Sequence, residues 1–112
     1  MKRIINLIMT GVMVGLMAYV SLAMMTVSHE KVHSEIYRHY GCQDIEIKYE
    51  DIYLTGFTRC NDAYFNETES VRILNAQTEI VGYHLITLMG VLWLIMISAV
   101  ILIQELIIKN NK

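Results

Sequence analysis

The sequence predicts a mainly α-helical membrane protein: two antiparallel transmembrane helices extended outside the bilayer, with a small disulfide-tied β-hairpin loop domain between them. Three observations predict it. Two charge-free runs, Ile4–Val27 and Ile80–Ile103, each exceed the roughly 20 residues needed to cross a bilayer. The polar segment between them holds both cysteines, Cys42 and Cys60. The chain has 112 residues and no proline, so no imino acid interrupts either helix.

The first helix spans the bilayer and is expected to continue beyond it, because nothing breaks the pattern before Gly41, which is placed to end the helix in a left-handed cap. Val32, Ile36 and Tyr40 recur at helical spacing along this extension. A run of this length is long for a signal-peptide core of about 7–15 residues, so it reads as an uncleaved anchor despite the small residues Ser21-Leu22-Ala23. Next, Ile45, Ile47 and Tyr49 alternate with Glu46, Lys48 and Glu50, a strand pattern; Ile52-Tyr53-Leu54 and Gly56 follow. These predict a hairpin within Asp44–Cys60 that leans on the helices, since two strands alone are marginal. Asn66 and Glu69 resemble a capping box for the second helix, which starts outside and runs through the membrane to about Lys109.

Charge orients the chain. Lys2 and Arg3 lie before the first span, Lys109 and Lys112 after the second, and the intervening loop is rich in acids. Both termini are therefore expected in the cytoplasm and the loop outside. The divisions are 1–28 for the first span and its tail, 29–79 for the loop domain, and 80–112 for the second span and its tail. The net charge of −2 gives no basis for nucleic-acid binding. An even cysteine count in an oxidising compartment predicts one disulfide. The rival pairing of Cys42 with His39 in a second metal site leaves Cys60 without a partner. Asn66-Glu67-Thr68 is an acceptor sequon if the host glycosylates. The eight methionines fall mainly in the apolar runs, where packing rather than copper binding accounts for them.

Residues His29-Glu30-Lys31-Val32-His33 spell HExxH. Two histidines four apart share one helix face and can grip one metal ion, and the glutamate between them can take a proton from a metal-bound water. With this composition only about 0.01 such motifs arise by chance, so the motif is a moderately specific pointer to Zn²⁺. A catalytic zinc takes three protein ligands and one open position. The candidates for the third are Glu79 and His84, about 140° apart around a helix, so an unbroken helix cannot aim both at one ion. Gly11 and Gly15 form a GxxxG stripe about five turns below His29 and His33, and Gly90 lies nearly in line with Glu79. Packing through these glycines would turn Glu79 toward the histidines, which makes Glu79 the preferred third metal ligand. Tyr83 and His84, then Tyr53, are the nearest phenol or imidazole groups in sequence for oxyanion stabilisation. His39 lies about 120° off the metal face and reads as a surface residue.

HExxH followed by a glutamate on a later helix resembles the gluzincin metallopeptidases, particularly the compact minigluzincin-like ones. The resemblance implies His29 and His33 as zinc ligands, Glu30 as general base and Glu79 as third ligand. It is carried by His29–His33 and loosely by Thr78–His84; the usual substrate-binding sheet is here reduced to a hairpin at best. The expected function is a membrane-anchored zinc peptidase acting on a peptide or membrane-protein substrate near the outer bilayer surface. A site near the lipid bilayer fits that substrate class, and the GxxxG stripe admits a homodimer or larger membrane complex. Two other classes fit a two-span chain with a small outer loop: a non-catalytic accessory subunit, and a phage-type holin or antiholin.

Overall fold

The computed structural model describes residues 1–111. Its elements are α1 (Lys2–His39), β1 (Ile45–Glu50), β2 (Thr55–Cys60) and α2 (Glu69–Asn110). The molecule measures 72 × 21 × 16 Å, and its long dimension is that of the helices. Both helices are long and apolar enough to cross a membrane, and no residue in the most apolar window of either is buried. Exposed side chains such as Ile8, Leu16, Leu94 and Leu102 cover these windows.

The first helix ends as its sequence predicts. Gly41 takes φ +93°, its N–H donates to the Arg38 carbonyl at 3.1 Å, and the Cys42 N–H reaches back to the Tyr37 carbonyl at 3.0 Å. This is a Schellman closure, in which the left-handed residue satisfies the last helical carbonyls. The divisions drawn at residues 28/29 and 79/80 fall inside unbroken helices, so α1 carries the HExxH residues rigidly on the same rod as its apolar segment.

The start of α2 differs from expectation. Thr68, not Asn66, is the cap: its hydroxyl accepts from the Val71 N–H at 3.4 Å. Glu69 is therefore the first helical residue, where its charge faces the positive end of the helix dipole instead of closing a capping box. Val71, one turn in, is the most completely buried side chain of the described residues.

The hairpin pairs antiparallel from Ile45↔Cys60 to Glu50↔Thr55. Cys42 and Cys60 are disulfide-bonded, tying the top of α1 to the end of β2. Closing a loop of this size contributes on the order of 3 kcal/mol. Register is reinforced by Glu46, whose carboxylate accepts from Asn61 at 2.9 Å and Arg59 at 2.6 Å and pairs with Lys48 at 2.8 Å. The Asn61 hydrogen bond, then those of Lys48 and Arg59, hold the Glu46 carboxyl down at about 2.

The connection at Asp51–Leu54 is unusual. Asp51, Ile52 and Tyr53 hold φ of 48°, 54° and 67°, and none is glycine. Left-handed backbone costs of order 1–3 kcal/mol per strained residue, most for a β-branched one such as Ile52. Helix α1 holds this turn in place: the Tyr19 hydroxyl donates to the Ile52 carbonyl, and the Thr26 hydroxyl donates to the Leu54 carbonyl at 3.1 Å.

The glycine stripe does not join the helices. Gly11, Gly15 and Gly90 have open space where a side chain would stand, so α1 and α2 do not meet through them. The close glycine contact is Gly82 against His29, and near the far ends Gln104 Nε2 donates to the Thr10 hydroxyl at 3.1 Å. With the hairpin wedged against α1 at the other end, these contacts set the helix pairing and leave the GxxxG face free. Buried polar side chains are Thr26, Glu30, His33 and Ser34, all on one stretch of α1. The best-protected part of the molecule is thus the region around HExxH.

Candidate metal centre

Each corner of the centre is placed by a different local constraint. His29 and His33 are one helical turn apart on α1, and their rings meet edge to face with centroids 4.7 Å apart. Their Nε2 atoms are 3.1 Å apart. Glu79 on α2 completes a triangle: its Oε1 is 3.6 Å from His29 Nε2 and 3.1 Å from His33 Nε2. Ligands at about 2.0–2.1 Å from a tetrahedral zinc stand roughly 3.3–3.4 Å from one another. The three measured edges bracket that spacing.

The hydrogen bond at the far side of His33 turns its other nitrogen into the triangle. Asn75 Oδ1 lies 2.8 Å from His33 Nδ1, and a carbonyl oxygen can only accept, so Nδ1–H donates to it. In the neutral ring Nε2 then carries a lone pair directed at the carboxylate oxygen of Glu79. A metal cation at the centre would satisfy all three atoms at once, and a hydrogen on His29 Nε2 would satisfy only part of the set. Orientation of a ligating imidazole by a hydrogen bond at its other nitrogen is the usual arrangement around a metal. His33 is buried, whereas Glu79 is half exposed, so the triangle is open on one side. A closed structural site would lack that opening.

Glu30 is buried beside the triangle. The Thr58 hydroxyl on β2 lies 2.7 Å from Glu30 Oε2 and 3.1 Å from its backbone carbonyl, so the strand holds the carboxylate in place. Close approach of strand and helix here requires glycine: a Cβ at Gly56 would stand 3.0 Å from Glu30 Cγ and 3.0 Å from the Lys48 carbonyl. A cavity of 210 Å³ is shared by His29, Glu30, Glu79 and Tyr83, with Thr26, Gly56 and Leu54 among its other walls. A second, of 260 Å³, joins Glu30, His33, Asn75 and Glu79 to Tyr37 and Thr58. Burial, then the charge of Glu67, push the Tyr37 hydroxyl above its ordinary value against a lowering hydrogen bond from Asn75. Tyr37 is therefore a neutral phenol at neutral pH.

The sequence-derived residues fare differently. His29, His33 and Glu79 come together as one group able to hold a metal ion. Glu30 and Tyr83 border the same cavity. His84 is turned away: its Nδ1–H donates to the Ile80 carbonyl of its own helix at 2.8 Å. Tyr53 packs on Tyr49, and His39 on Tyr40, away from the triangle. Three supporting residues escaped sequence reasoning. Asn75 lies four residues before Glu79, so helical phase alone would have put it on the metal face. Gly82, three residues after Glu79, was legible in the same way. Thr58 carried no signal, because its place beside Glu30 comes from the hairpin's packing on α1.

Gly82 offers a sharp test. A Cβ there would stand 2.4 Å from His29 Cε1 and 2.5 Å from its Nδ1. The ring can swing aside, so the fold should survive, and alanine should favour the helix by up to about 1 kcal/mol. The cost falls on ligand geometry. Gly82→Ala is expected to keep helical content and thermal stability while weakening zinc affinity by about 10–100-fold, the range seen when a ligand loses its support. Competition with a chromophoric chelator reads this directly.

The fold and the centre define a class: a two-helix chain, apolar enough to span a membrane, with a His₂Glu group where the helices meet a small hairpin. Comparison with protein-family models, curated proteins and solved structures returns no match.

Proposed function

We propose that this chain is a two-pass membrane zinc metallopeptidase, its termini cytoplasmic and its hairpin outside, hydrolysing peptide bonds close to the outer bilayer surface. The observation that carries the reading is the triangle of His29, His33 and Glu79, with edges of 3.1–3.6 Å, beside the buried carboxylate of Glu30. Zinc bound by the three would act as a Lewis acid, polarising a scissile carbonyl and lowering the pKa of a water toward about 7.

The chain's own groups account for the rest. Glu30, steadied by Thr58, takes a proton from the attacking water and returns it to the leaving amine. Asn75 holds the His33 ring so that Nε2 faces the ion. Tyr83, at the cavity's exposed wall, is the phenol placed to donate to a developing oxyanion, and the partly buried Tyr37 lines the neighbouring cavity. An extended peptide can align with the hairpin's backbone, since β2 forms walls of both cavities.

The test is zinc content by elemental mass spectrometry on the full chain, purified in detergent without chelator. It is paired with cleavage of a mixed peptide library and of reconstituted single-span proteins. Near-stoichiometric zinc and chelator-sensitive cleavage are expected. Zinc without cleavage would favour a metal-binding accessory subunit, and absence of zinc would overturn the reading.

A further inference from the structure

The hairpin turn is apolar where a solvent-facing turn is ordinarily polar. Ile52 is 78 % exposed, Tyr53 53 % and Leu54 41 %, on three successive residues outside any core. Two of them keep side chains in left-handed backbone that glycine or asparagine would adopt with less strain. Strain retained at an exposed position points to a use for the side chains themselves.

Their position along α1 identifies the use. The Ile52 carbonyl is held by Tyr19 and the Leu54 carbonyl by Thr26, both within the charge-free Ile4–Val27 run. Thr26 and Tyr19 lie three and ten residues before His29, so the turn hangs alongside the stretch about 5–15 Å below the metal centre. A hydrocarbon core of about 30 Å uses roughly 20 residues of helix. Counted from Ile4, it ends near Ala23, and the Tyr19 backbone, whose side chain holds the Ile52 carbonyl, lies about 6 Å inside that edge.

Backbone accounting sets the depth. Hydrocarbon demands that backbone N–H and C=O groups alike be satisfied within the protein, and among the described residues the Ile52 and Tyr53 N–H groups and the Tyr53 carbonyl have no partner, so the turn belongs at the headgroup end of the leaflet, where water reaches them. Here the carbonyls of Ile52 and Leu54 accept from α1 hydroxyls, and the Asp51 carbonyl accepts from the Leu54 N–H at 3.3 Å. The neighbouring Asp51 carboxylate accepts from the Thr55 hydroxyl at 3.1 Å.

We propose that the turn Ile52–Leu54 is a lipid-inserting finger that dips into the outer leaflet beside α1. It rests on the membrane-spanning reading but not on zinc or catalysis. The tyrosine ring at 53 suits the interface, with an apolar body and a polar end. The finger pins the hairpin, and with it Thr58 and Gly56 beside Glu30, at a fixed height over the bilayer.

Tryptophan fluorescence of the full chain in phosphatidylcholine vesicles tests this. Trp93 is the chain's one tryptophan and lies in α2, so in the unmutated protein it reports insertion of the helices. In a Trp93→Phe background, Ile52→Trp reports the finger, and Tyr64→Trp, at a position 98 % exposed outside the hairpin, serves as the aqueous reference. Ile52→Trp should be quenched by lipids brominated near the headgroup end of the chain more than by lipids brominated mid-chain. Its quenching by iodide should be several-fold weaker than that of Tyr64→Trp. Iodide access equal to the reference, without bromolipid quenching, would overturn the proposal. So would shielding from both quenchers, which would mean that protein covers the turn, as in a second copy. Loss of Trp93 quenching in the unmutated chain would instead remove the membrane reading, and this one with it. Should Ile52→Trp fail to reconstitute, Tyr53→Trp carries the same outcomes.

Discussion

Glu79→Ala and His33→Ala are each expected to empty the purified protein of zinc at concentrations where the unmutated chain holds it. Zinc bound by a full set of protein ligands in small domains is worth roughly 10–16 kcal/mol, or about 3–4 kcal/mol per ligand when shared over four. Losing one corner should therefore weaken binding by about 10²–10³-fold. The two variants differ informatively. His33 is buried and anchored to Asn75, so its loss also leaves the Asn75 carbonyl without its donor and should cost stability. Glu79 is half exposed and, among the described residues, has no partner besides the histidines, so its loss should spare the fold. Equal zinc in wild type and Glu79→Ala would remove the carboxylate from the ligand set.

The second large effect concerns Glu30. Glu30→Gln keeps the size of the side chain and can still accept from Thr58 through its amide oxygen, but it cannot take up a proton as a base. Turnover should fall by about 10²–10⁴-fold, the usual contribution of a positioned base, with zinc content unchanged. Measuring rate and zinc on the same preparation separates the two roles. A Gln variant that cleaves as fast as the parent would exclude Glu30 as the base.

How far the sequence reaches depends on how local the cause is. Helix termination at Gly41, the strands, the two long apolar helices and the disulfide follow from local pattern and cysteine count, and all are present. The grouping of Glu79 with the histidines was legible through helical phase, but its supporting argument was not sound. It relied on Gly11, Gly15 and Gly90 packing together, and those faces are open. Phase survived because Gly82, on the same face as Glu79, makes the close contact instead. The cap was misplaced by two residues because Asn66 and Thr68 are both competent caps; the helix uses Thr68, with Val71 buried one turn in. Thr58 and the left-handed turn were beyond reach, since each depends on contacts 28 or more residues apart in the chain.

Two corners of the triangle ride on α1 and the third on α2, beside the Gly82–His29 contact that pairs the helices. The triangle is therefore a goniometer for the helix pair. Turning α2 by a single residue's worth of helical angle, about 100°, would carry Glu79 off the face it shares with the histidines. By linkage, an ion that binds all three corners resists such rotation, and whatever rotates or tilts the helices changes the ion's affinity in equal measure. Helices accommodate bilayer thickness by tilting. Occupancy of this centre would then vary with the thickness of the membrane around it, without any change in the ligands themselves.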